Sequence, residues 1–240
     1  MKPLIIAHRG ASAAQGDDTE NPLAQGADYI EVDLEVSRDG IVFIFHDPRV
    51  GIFVFREPYI RLPGGVKKKA HELLFSEIQK MFPSVISFEE FIKTVDPAHI
   101  IGELKSYSCY KGIVHILHRM YPDAFHKMRF ISFSMRALQE IKLLDPSLYC
   151  SYIATSGGDD KRFHPIVRKQ HINACVKNNI EEISGLWIMF RPRMIRYAHA
   201  HGLRVGLGQM NTLRRILYAQ KNEVDVWYTD NVRYAQKYIV

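Results

Sequence analysis

Three side chains in the first fifth of the chain have the types and spacing of a metal and proton-transfer site. Glu31 and Asp33 are two residues apart in a strand-like run, so their carboxylates project from one face. Asp39-Gly40, a strong hairpin signal, separates that run from a second one that ends at His46. A turn at Asp39-Gly40 pairs His46 with Asp33, and a turn one residue earlier pairs it with Glu31. Either register predicts an imidazole beside two carboxylates; a solvated polar hairpin face is the alternative.

Two other strand-like runs end in residues of related chemistry. His8 and Arg9 follow the run at 4–7, and Glu103 and Lys105 stand at the end of the run at 100–104. Each pair alone is a weak signal, since a surface turn explains the first and a solvated charge pair the second. Four runs that bring charge or imidazole to one rim instead favour a functional face at the carboxyl ends of parallel strands.

The carboxylates of Glu31, Asp33 and Glu103 are hard oxygen ligands. Three carboxylates at close range repel one another, and a divalent cation relieves this repulsion. Neither a cysteine nor a cluster of histidines stands near them in the sequence, which favours Mg²⁺ or Ca²⁺ over zinc. The sequence therefore predicts one bound divalent cation.

The basic side chains complete a site for an anion. Arg9 offers a planar fork for a phosphate and Lys105 a point charge. Three carboxylates, one divalent cation and these two bases leave a single formal positive charge, which matches a phosphodiester monoanion. His8 and His46 are suited to divide the proton transfers near neutral pH.

Nine short apolar runs alternate with helix-like stretches along the chain. Many of the runs are continuous, which is typical of parallel strands buried on both faces, and the alternation indicates βαβ units. The runs span residues 4–7, 29–34, 41–45, 100–104, 130–133, 148–153, 183–188, 203–207 and 226–228. Helices are predicted over 72–81, 88–94, 110–120, 135–144, 165–178, 192–201 and 213–221.

No helix fits between the second and third runs, so residues 41–46 are expected to form the return arm of a hairpin on the second strand. Eight parallel strands remain, and 240 residues suit a single TIM-type (β/α)8 barrel. We expect one domain over 1–240, with a small insertion over the barrel rim at about 47–85.

Composition narrows the class of protein. A net charge of +6 and a pI near 9.1 suit an anionic partner, but no interleaving of basic and aromatic residues indicates nucleic acid, and none is expected as a partner. Three separated cysteines indicate reduced thiols. No apolar run approaches a membrane span or the core of a signal peptide. A cytoplasmic protein without stable membrane insertion is predicted, and its oligomeric state is left open.

The motifs resemble those of the glycerophosphodiester phosphodiesterase family over nearly the whole chain. The opening motif, the block around the paired carboxylates and the metal-and-phosphate pair all have counterparts in order and spacing. These are 8–12, 26–34 with Asp39-Gly40 and His46-Asp47, 83–91, 103–105, Ser132-Phe133, 198–206, and 224–230.

The resemblance implies a metal-dependent hydrolysis of small glycerophosphodiesters to sn-glycerol 3-phosphate and an alcohol. It also implies a role for each candidate residue. The metal ligands would be Glu31, Asp33 and Glu103, the general acid/base pair His8 and His46, and the phosphate-binding residues Arg9 and Lys105.

Two departures from the family pattern affect what is expected. Only three residues, 23–25, stand between Pro22 and Gly26, where the family has a full first helix, so that helix is expected to be shortened. Gly208 stands where the family commonly has tryptophan, which removes an aromatic wall, and Asn211 remains with a helix N-cap as its simplest role. A lysophospholipid-type phosphodiesterase and a catalytically silent phosphate-binding barrel are the alternatives.

Overall fold

Eight parallel strands close into a barrel in a computed structural model, which describes residues 2–11, 21–45, 59–61, 67–105, 109–154 and 166–239. The strands follow one another around the ring in chain order, and the ring closes where the first strand pairs with the second. The predicted (β/α)8 fold class is therefore confirmed. The strands are β1 (Leu4–Ala7), β2 (Tyr29–Val36), β3 (Val42–Ile44), β4 (Tyr59–Arg61), β5 (Lys67–Lys69), β6 (Ile100–Leu104), β7 (Arg129–Ser132), β8 (Cys150–Ile153), β9 (Glu182–Leu186), β10 (Arg204–Gly208) and β11 (Val226–Thr229).

Helices cover the outer face of the barrel. Alternate strand residues such as Ile5 and Ala7 pack outward against the helices in the main core, whereas Ile6 between them belongs to a separate cluster inside the ring. The described helices are α1 (Phe75–Met81), α2 (Phe88–Phe91), α3 (Tyr110–Met120), α4 (Pro122–Phe125), α5 (Met135–Leu144), α6 (Lys169–Lys177), α7 (Pro192–His199), α8 (Leu213–Lys221) and α9 (Val232–Gln236). None of these helices combines the length and the apolar character that crossing a bilayer demands.

The predicted element bounds need local corrections. The helix predicted over 72–81 begins at Phe75, because Ala70–Glu72 form a 3₁₀ turn and Leu73 is extended. The run at 183–188 ends as a strand at Leu186, and Trp187–Met189 form another 3₁₀ turn. The short helices α4 and α9 and the β4–β5 hairpin lacked a periodic signal long enough to predict them.

The hairpin after β2 is present, but its register differs from both predicted registers. Its turn takes three residues, 38–40, instead of two, and Gly40 adopts a φ of 78°. The N–H of Phe45 consequently donates to the carbonyl of Asp33 at 3.1 Å. Phe45 therefore stands opposite Asp33, so the two-residue turns on which both predicted registers rested are wrong. His46 itself lies outside the described residues.

A second, smaller apolar cluster lies beside this hairpin. Phe43 and Phe45 pack there with Ile60, Phe75 and Ile78. The ring centroids of Phe43 and Phe75 are 5.6 Å apart. Residues 46–58 and 62–66 lie outside the described ranges, so the insertion at about 47–85 and the single domain over 1–240 stay predictions.

The connection from β1 to β2 is described only in part. Its described residues form a tight turn over His8–Ala11 and further turns over 22–26, and no α-helix is found among them. The N–H of Gly26 donates to the carbonyl of Leu23 at 3.0 Å, which closes the second set of turns. Residues 12–20 of this connection lie outside the described ranges.

Candidate active site

Three buried carboxylates lie together inside the barrel, towards the carboxyl ends of the strands. Glu31 and Asp33 are alternate residues of β2 and face inward, and Glu103 of β6 stands beside Asp33 in the parallel register. One oxygen from each can be chosen so that all lie within 4.8 Å of one another. The three side chains predicted as metal ligands are thus brought together.

Burial shifts the protonation of two of these carboxylates. Loss of solvent raises the pKa of Glu31 above its ordinary value, and the neighbouring charge of Asp33 raises it further. Burial likewise raises the pKa of Glu103, although the ammonium of Lys105 acts in the opposite direction. A site that disfavours its own negative charges in this way is suited to a cation.

The hydrogen bonding of the Glu31 carboxylate indicates whether a cation fits the cluster. Its Oε2 accepts a hydrogen bond from the N–H of Arg9 at 2.9 Å, but its Oε1 is buried and has no hydrogen-bond partner within the described ranges. A buried carboxylate oxygen without a partner is costly. A divalent cation bound by oxygen ligands would satisfy it, so the donor set fits Mg²⁺ or Ca²⁺.

Lys105 lies directly on the carboxylate cluster. Its ammonium group contacts Oδ1 of Asp33 and Oε1 of Glu103, and it also stands 5.8 Å from the ring centroid of Phe133. Burial acts to lower the pKa of Lys105, but the two carboxylates outweigh burial and raise it above its ordinary value. Lys105 therefore carries a fixed positive charge at the mouth of the cluster.

Arg9 approaches the cluster from the turn after β1. It is one of the described non-glycine residues with a positive φ, at φ 53° and ψ 41°, and Gly10 follows in a similar conformation. This left-handed turn directs the backbone N–H of Arg9 at Glu31, while its Nε lies 3.9 Å from Oδ2 of Asp33. Non-glycine residues in this region are uncommon and concentrate at functional sites.

His8 is held by a residue from the opposite end of the sequence. Its Nδ1 lies 2.7 Å from Oδ1 of Asp230, which follows β11. Burial acts to raise the pKa of Asp230, but the hydrogen bond from His8 and its charge outweigh burial and lower it. Because a carboxylate can only accept, Nδ1 of His8 carries the proton and Nε2 is the ring nitrogen left for other chemistry.

Asn211 in turn holds the carboxylate of Asp230 in place. Its Nδ2 donates to Oδ2 of Asp230 at 2.5 Å, and its Oδ1 accepts from the N–H of Asp230 and the hydroxyl of Thr229, each at 2.9 Å. Thr212, not Asn211, precedes α8 as its N-cap, so the N-cap interpretation of Asn211 is wrong.

Five of the seven predicted side chains are thus brought together around the carboxylates, and His8 lies beside them on the same turn as Arg9. The seventh, His46, lies outside the described residues. Sequence reasoning missed Asp230 as a partner of His8. The available signal was its position directly after a barrel strand, the same signal that singled out Arg9 and Lys105.

A fourth buried carboxylate lies deeper in the barrel and has a different environment. Glu182, at the start of β9, accepts hydrogen bonds from the hydroxyls of Ser151, Tyr149 and Tyr228 at 2.9, 3.0 and 2.9 Å. Three donors satisfy this side chain, so it has no need of a cation.

Comparisons with known proteins show which sequences this chain is similar to. Residues 8–81 match the model of the Glycerophosphoryl diester phosphodiesterase family. A "Glycerophosphodiester phosphodiesterase" from Caldanaerobacter subterraneus subsp. tengcongensis is 27% identical over 158 residues, covering 62% of this chain and 65% of that protein. A Mycobacterium tuberculosis protein named "Probable glycerophosphodiester phosphodiesterase 1" is 42% identical over 52 residues, 20% of this chain and 19% of its own length. The chain thus spans less than two thirds of these relatives.

Solved structures share the fold over almost the whole chain. A glycerophosphodiester phosphodiesterase from Thermotoga maritima has a TM-score of 0.73 at 16% identity, covering 99% of this chain and 98% of its own. An Oleispira antarctica phosphodiesterase, solved in complex with the product sn-glycerol-3-phosphate, has a TM-score of 0.69 at 17% identity and covers 98% of this chain and 96% of its own. At these identities, the similarity establishes the barrel.

Proposed function

We propose that this chain, which matches the glycerophosphoryl diester phosphodiesterase family model over residues 8–81, hydrolyses glycerophosphodiesters to sn-glycerol 3-phosphate and an alcohol. The observation that carries the proposal is the buried cluster of Glu31, Asp33 and Glu103 with Lys105 upon it. Together with Arg9, such a cluster presents fixed charges of both signs at one end of the barrel. A phosphodiester monoanion bound with a divalent cation balances these charges.

Glu31, Asp33 and Glu103 would hold the cation, Mg²⁺ or Ca²⁺. The bound ion would act as a Lewis acid on a phosphoryl oxygen and neutralise the charge that develops there. The carboxylates contribute a rigid, water-poor cage, because β2 and β6 hold them in register and all three are buried. This rigidity fixes where the ion, and hence the diester, must lie.

Arg9 and Lys105 would bind and orient the phosphate. Both already lie at the carboxylate cluster, Arg9 at 3.9 Å from Asp33 and Lys105 in direct contact with Asp33 and Glu103. Positive groups fixed before the substrate arrives stabilise transition-state charge without reorganising. The negative charge of the diester therefore enters a site whose bases are already in place.

His8 would transfer a proton through Nε2, since Asp230 holds Nδ1. His46, the second member of the pair, remains a prediction from the family motif. One histidine takes a proton from the nucleophile and the other gives a proton to the leaving alkoxide, which leaves the two with exchanged protonation states. Proton exchange with solvent, or a second step in which the two reverse their roles, restores the starting states. The nucleophile is either water or the neighbouring glycerol hydroxyl, and the second would form a cyclic phosphate first.

The proposal extends to the partners and the location. The substrate is a small diester, no nucleic acid takes part, and one domain over 1–240 carries the site. The three reduced cysteines support a cytoplasmic location. Glycerophosphocholine and lysophosphatidylcholine as parallel substrates distinguish this function from the lysophospholipid-type alternative.

The deciding experiment measures release of glycerol 3-phosphate from glycerophosphocholine with and without a chelator. We expect Glu31→Gln to lower kcat by about 10²-fold or more, because it removes a ligand charge from the cation site. Glu182→Gln is the matched control, since it changes a buried carboxylate of the same barrel that three hydroxyls already satisfy. Full activity in the chelated sample or in Glu31→Gln would contradict the metal assignment. Inactivity on every diester tested would favour the silent barrel.

A further inference from the structure

A patch of exposed apolar side chains lies on the segments that follow β9 and β10. Ile188 is 71% exposed, Leu217 53% and Leu213 42%, although each is a large aliphatic residue. Single exposed apolar residues are ordinary, but several on adjoining segments indicate an interaction surface. Both segments leave the carboxyl ends of their strands, the end of the barrel that holds the carboxylate cluster.

Trp187 brings the two segments into contact. Its ring lies 5.7 Å from that of Tyr218 in α8, between centroids, and the guanidinium carbons of Arg214 and Arg215 lie 5.6 and 5.9 Å from it. Leu213 and Leu217 are four residues apart in α8 and so share one helix face. We call this surface the rim patch; it consists of Ile188, Arg191, Arg193, Leu213, Arg214 and Leu217.

The charge around the rim patch has one sign. The sequence contains no carboxylate between Glu182 and Glu223. The same stretch has seven lysines and arginines, which alone exceed the net charge of +6 of the whole chain. In the part of the chain that the structure describes, no carboxylate is paired with the exposed guanidinium groups of the patch. These belong to Arg191, Arg193 and Arg214.

The rim patch also adjoins the proposed active site. Asn211, which holds Asp230 beside His8, stands two residues before Leu213. Arg215, in the same first turn of α8, donates to the carbonyl of Gln209 at 2.9 Å and fixes that connection. A surface that docks at the patch would therefore bring its own polar layer to the mouth of the barrel.

We propose that the rim patch is a peripheral docking site for a bilayer that contains anionic phospholipid. Aliphatic side chains enter the interface between headgroups and acyl chains, and arginines bind the anionic headgroups; basic amphipathic surfaces attach to membranes in this way. The charge excludes a neutral bilayer as the preferred partner. The proposal goes beyond hydrolysis of a small diester, because docking needs none of the catalytic side chains.

The test measures sedimentation of the full chain with vesicles of phosphatidylcholine alone and of phosphatidylcholine with phosphatidylglycerol. We expect binding to the anionic vesicles that weakens as salt rises. The triple variant Ile188→Ser, Leu213→Ser, Leu217→Ser should bind them about tenfold more weakly or worse. The single variant Ile188→Ser, which changes the most exposed of the three, should show part of the loss without risk to the fold.

Further variants test the role of the arginines and the location of the binding surface. Arg191→Gln with Arg193→Gln and Arg214→Gln should weaken binding about fivefold per charge removed. The matched controls change exposed residues on other helices and should leave binding unchanged; they are Leu143→Ser, Met120→Ser and Arg119→Gln.

Three results would overturn the proposal. The first is equal sedimentation of native protein and triple variant with anionic vesicles, or no binding by the native protein. The second is binding to duplex DNA as tight as to the vesicles and insensitive to the serine substitutions, which would identify a general polyanion site. The third is a concentration-dependent dimer abolished by the triple variant, which would identify a self-association surface. Glu31→Gln separates this proposal from the proposed function, since it should lose hydrolysis and keep vesicle binding.

Discussion

Two buried glutamates of this barrel differ in how many hydrogen bonds their carboxylates accept. Glu182 receives three hydroxyl groups, and its carboxylate is complete without help from outside the protein. Glu31 receives one N–H, from Arg9, and leaves its second oxygen buried with no partner in the described part of the chain. The low dielectric of the interior makes this difference costly, because unpaired polar atoms lose the water that would have solvated them.

This contrast predicts a difference in cation binding that needs no assay of turnover. Saturating Mg²⁺ or Ca²⁺ should raise the melting temperature of the native protein, since a ligand at 100 times its Kd adds about 2.7 kcal/mol to stability. Glu31→Gln should lose most of the rise, and Glu182→Gln should keep it. Differential scanning calorimetry with and without the cation measures both. Equal rises in native protein and Glu31→Gln would speak against a cation at this cluster.

A second prediction at this scale concerns the orientation of His8. In Asp230→Asn an amide replaces the acceptor of the Nδ1 proton, which favours the tautomer with the proton on Nε2. We expect kcat to fall by about 10²-fold, with a much smaller change in KM.

The nitrogen chemical shifts of the His8 ring report the tautomer directly and would not respond to a general loss of stability. Asp225→Asn is the matched control, because Asp225 pairs with His199 at 2.9 Å, beside the amino end of β11 and away from the carboxylate cluster. An unchanged tautomer in Asp230→Asn, together with native kcat, would show that Asp230 does not position His8.

Among the elements, the hairpin on β2 depends on one backbone conformation. Gly40 has a φ of 78°, and a methyl group added there would meet no atom within 4 Å. Any cost of a side chain at this position is therefore conformational rather than steric. Asp39 adds a second constraint, since its Oδ1 accepts from the N–H at the start of α1, on Phe75, at 3.0 Å.

Gly40→Ala should accordingly lower the free energy of unfolding by about 1 kcal/mol, because an L-residue resists the left-handed region. Gly112→Ala is the matched control in α3, where added atoms also meet open space but φ is not positive. That substitution should raise stability by about 0.5 kcal/mol or more. Urea unfolding of the three proteins measures both differences. Equal effects at the two glycines would contradict the assigned turn.

Across the whole molecule, the barrel interior holds buried charge at two levels. The carboxylate cluster lies towards the carboxyl ends of the strands, and Glu182 lies towards their amino ends among hydroxyls from β8 and β11. Burial raises the pKa of Glu182, and the hydrogen bonds from Ser151, Tyr228 and Tyr149 offset burial only in part. The folded protein therefore binds a proton at Glu182 more tightly than the unfolded chain does.

Because the pKa of Glu182 is raised on folding, its contribution to stability depends on pH in a known direction. The stabilising contribution of Glu182 is complete below the ordinary glutamate pKa of 4.5 and is lost as pH rises through the raised folded value. The stability of native protein minus that of Glu182→Gln should thus fall as pH rises above 4.5. Urea unfolding across that pH range measures the difference.

Glu90 is the control, because its pKa is shifted in the opposite direction to that of Glu182. Hydrogen bonds from Ser87 lower its pKa, so the difference between native protein and Glu90→Gln should shrink as pH falls. A flat profile for Glu182→Gln would mean that its carboxylate is ionised in the folded protein just as in the unfolded chain.

Local patterns predicted much of this molecule. The alternation of short apolar runs with helices predicted eight parallel strands, and the period of two predicted that Glu31 and Asp33 share a face, because both depend on residues close in sequence. The predicted hairpin register was wrong, since a two-residue turn and a three-residue turn have almost the same sequence signal. Asp230 was missed as a partner of His8 because 222 residues separate the two, and barrel closure alone makes them neighbours.

The sequence by itself supplied most of the candidates for the site: side chains able to bind a cation, side chains able to hold a phosphate, and the strands beside which they stand. Side-chain chemistry and strand period are local properties, so they can be read without a fold. The tertiary structure decided the rest: that Glu103 stands in register beside Asp33, that Lys105 lies on both carboxylates, that one oxygen of Glu31 has no partner in the described residues, and that Trp187 contacts Tyr218 of α8. These facts depend on distances between distant segments, which are fixed when the ring of strands closes.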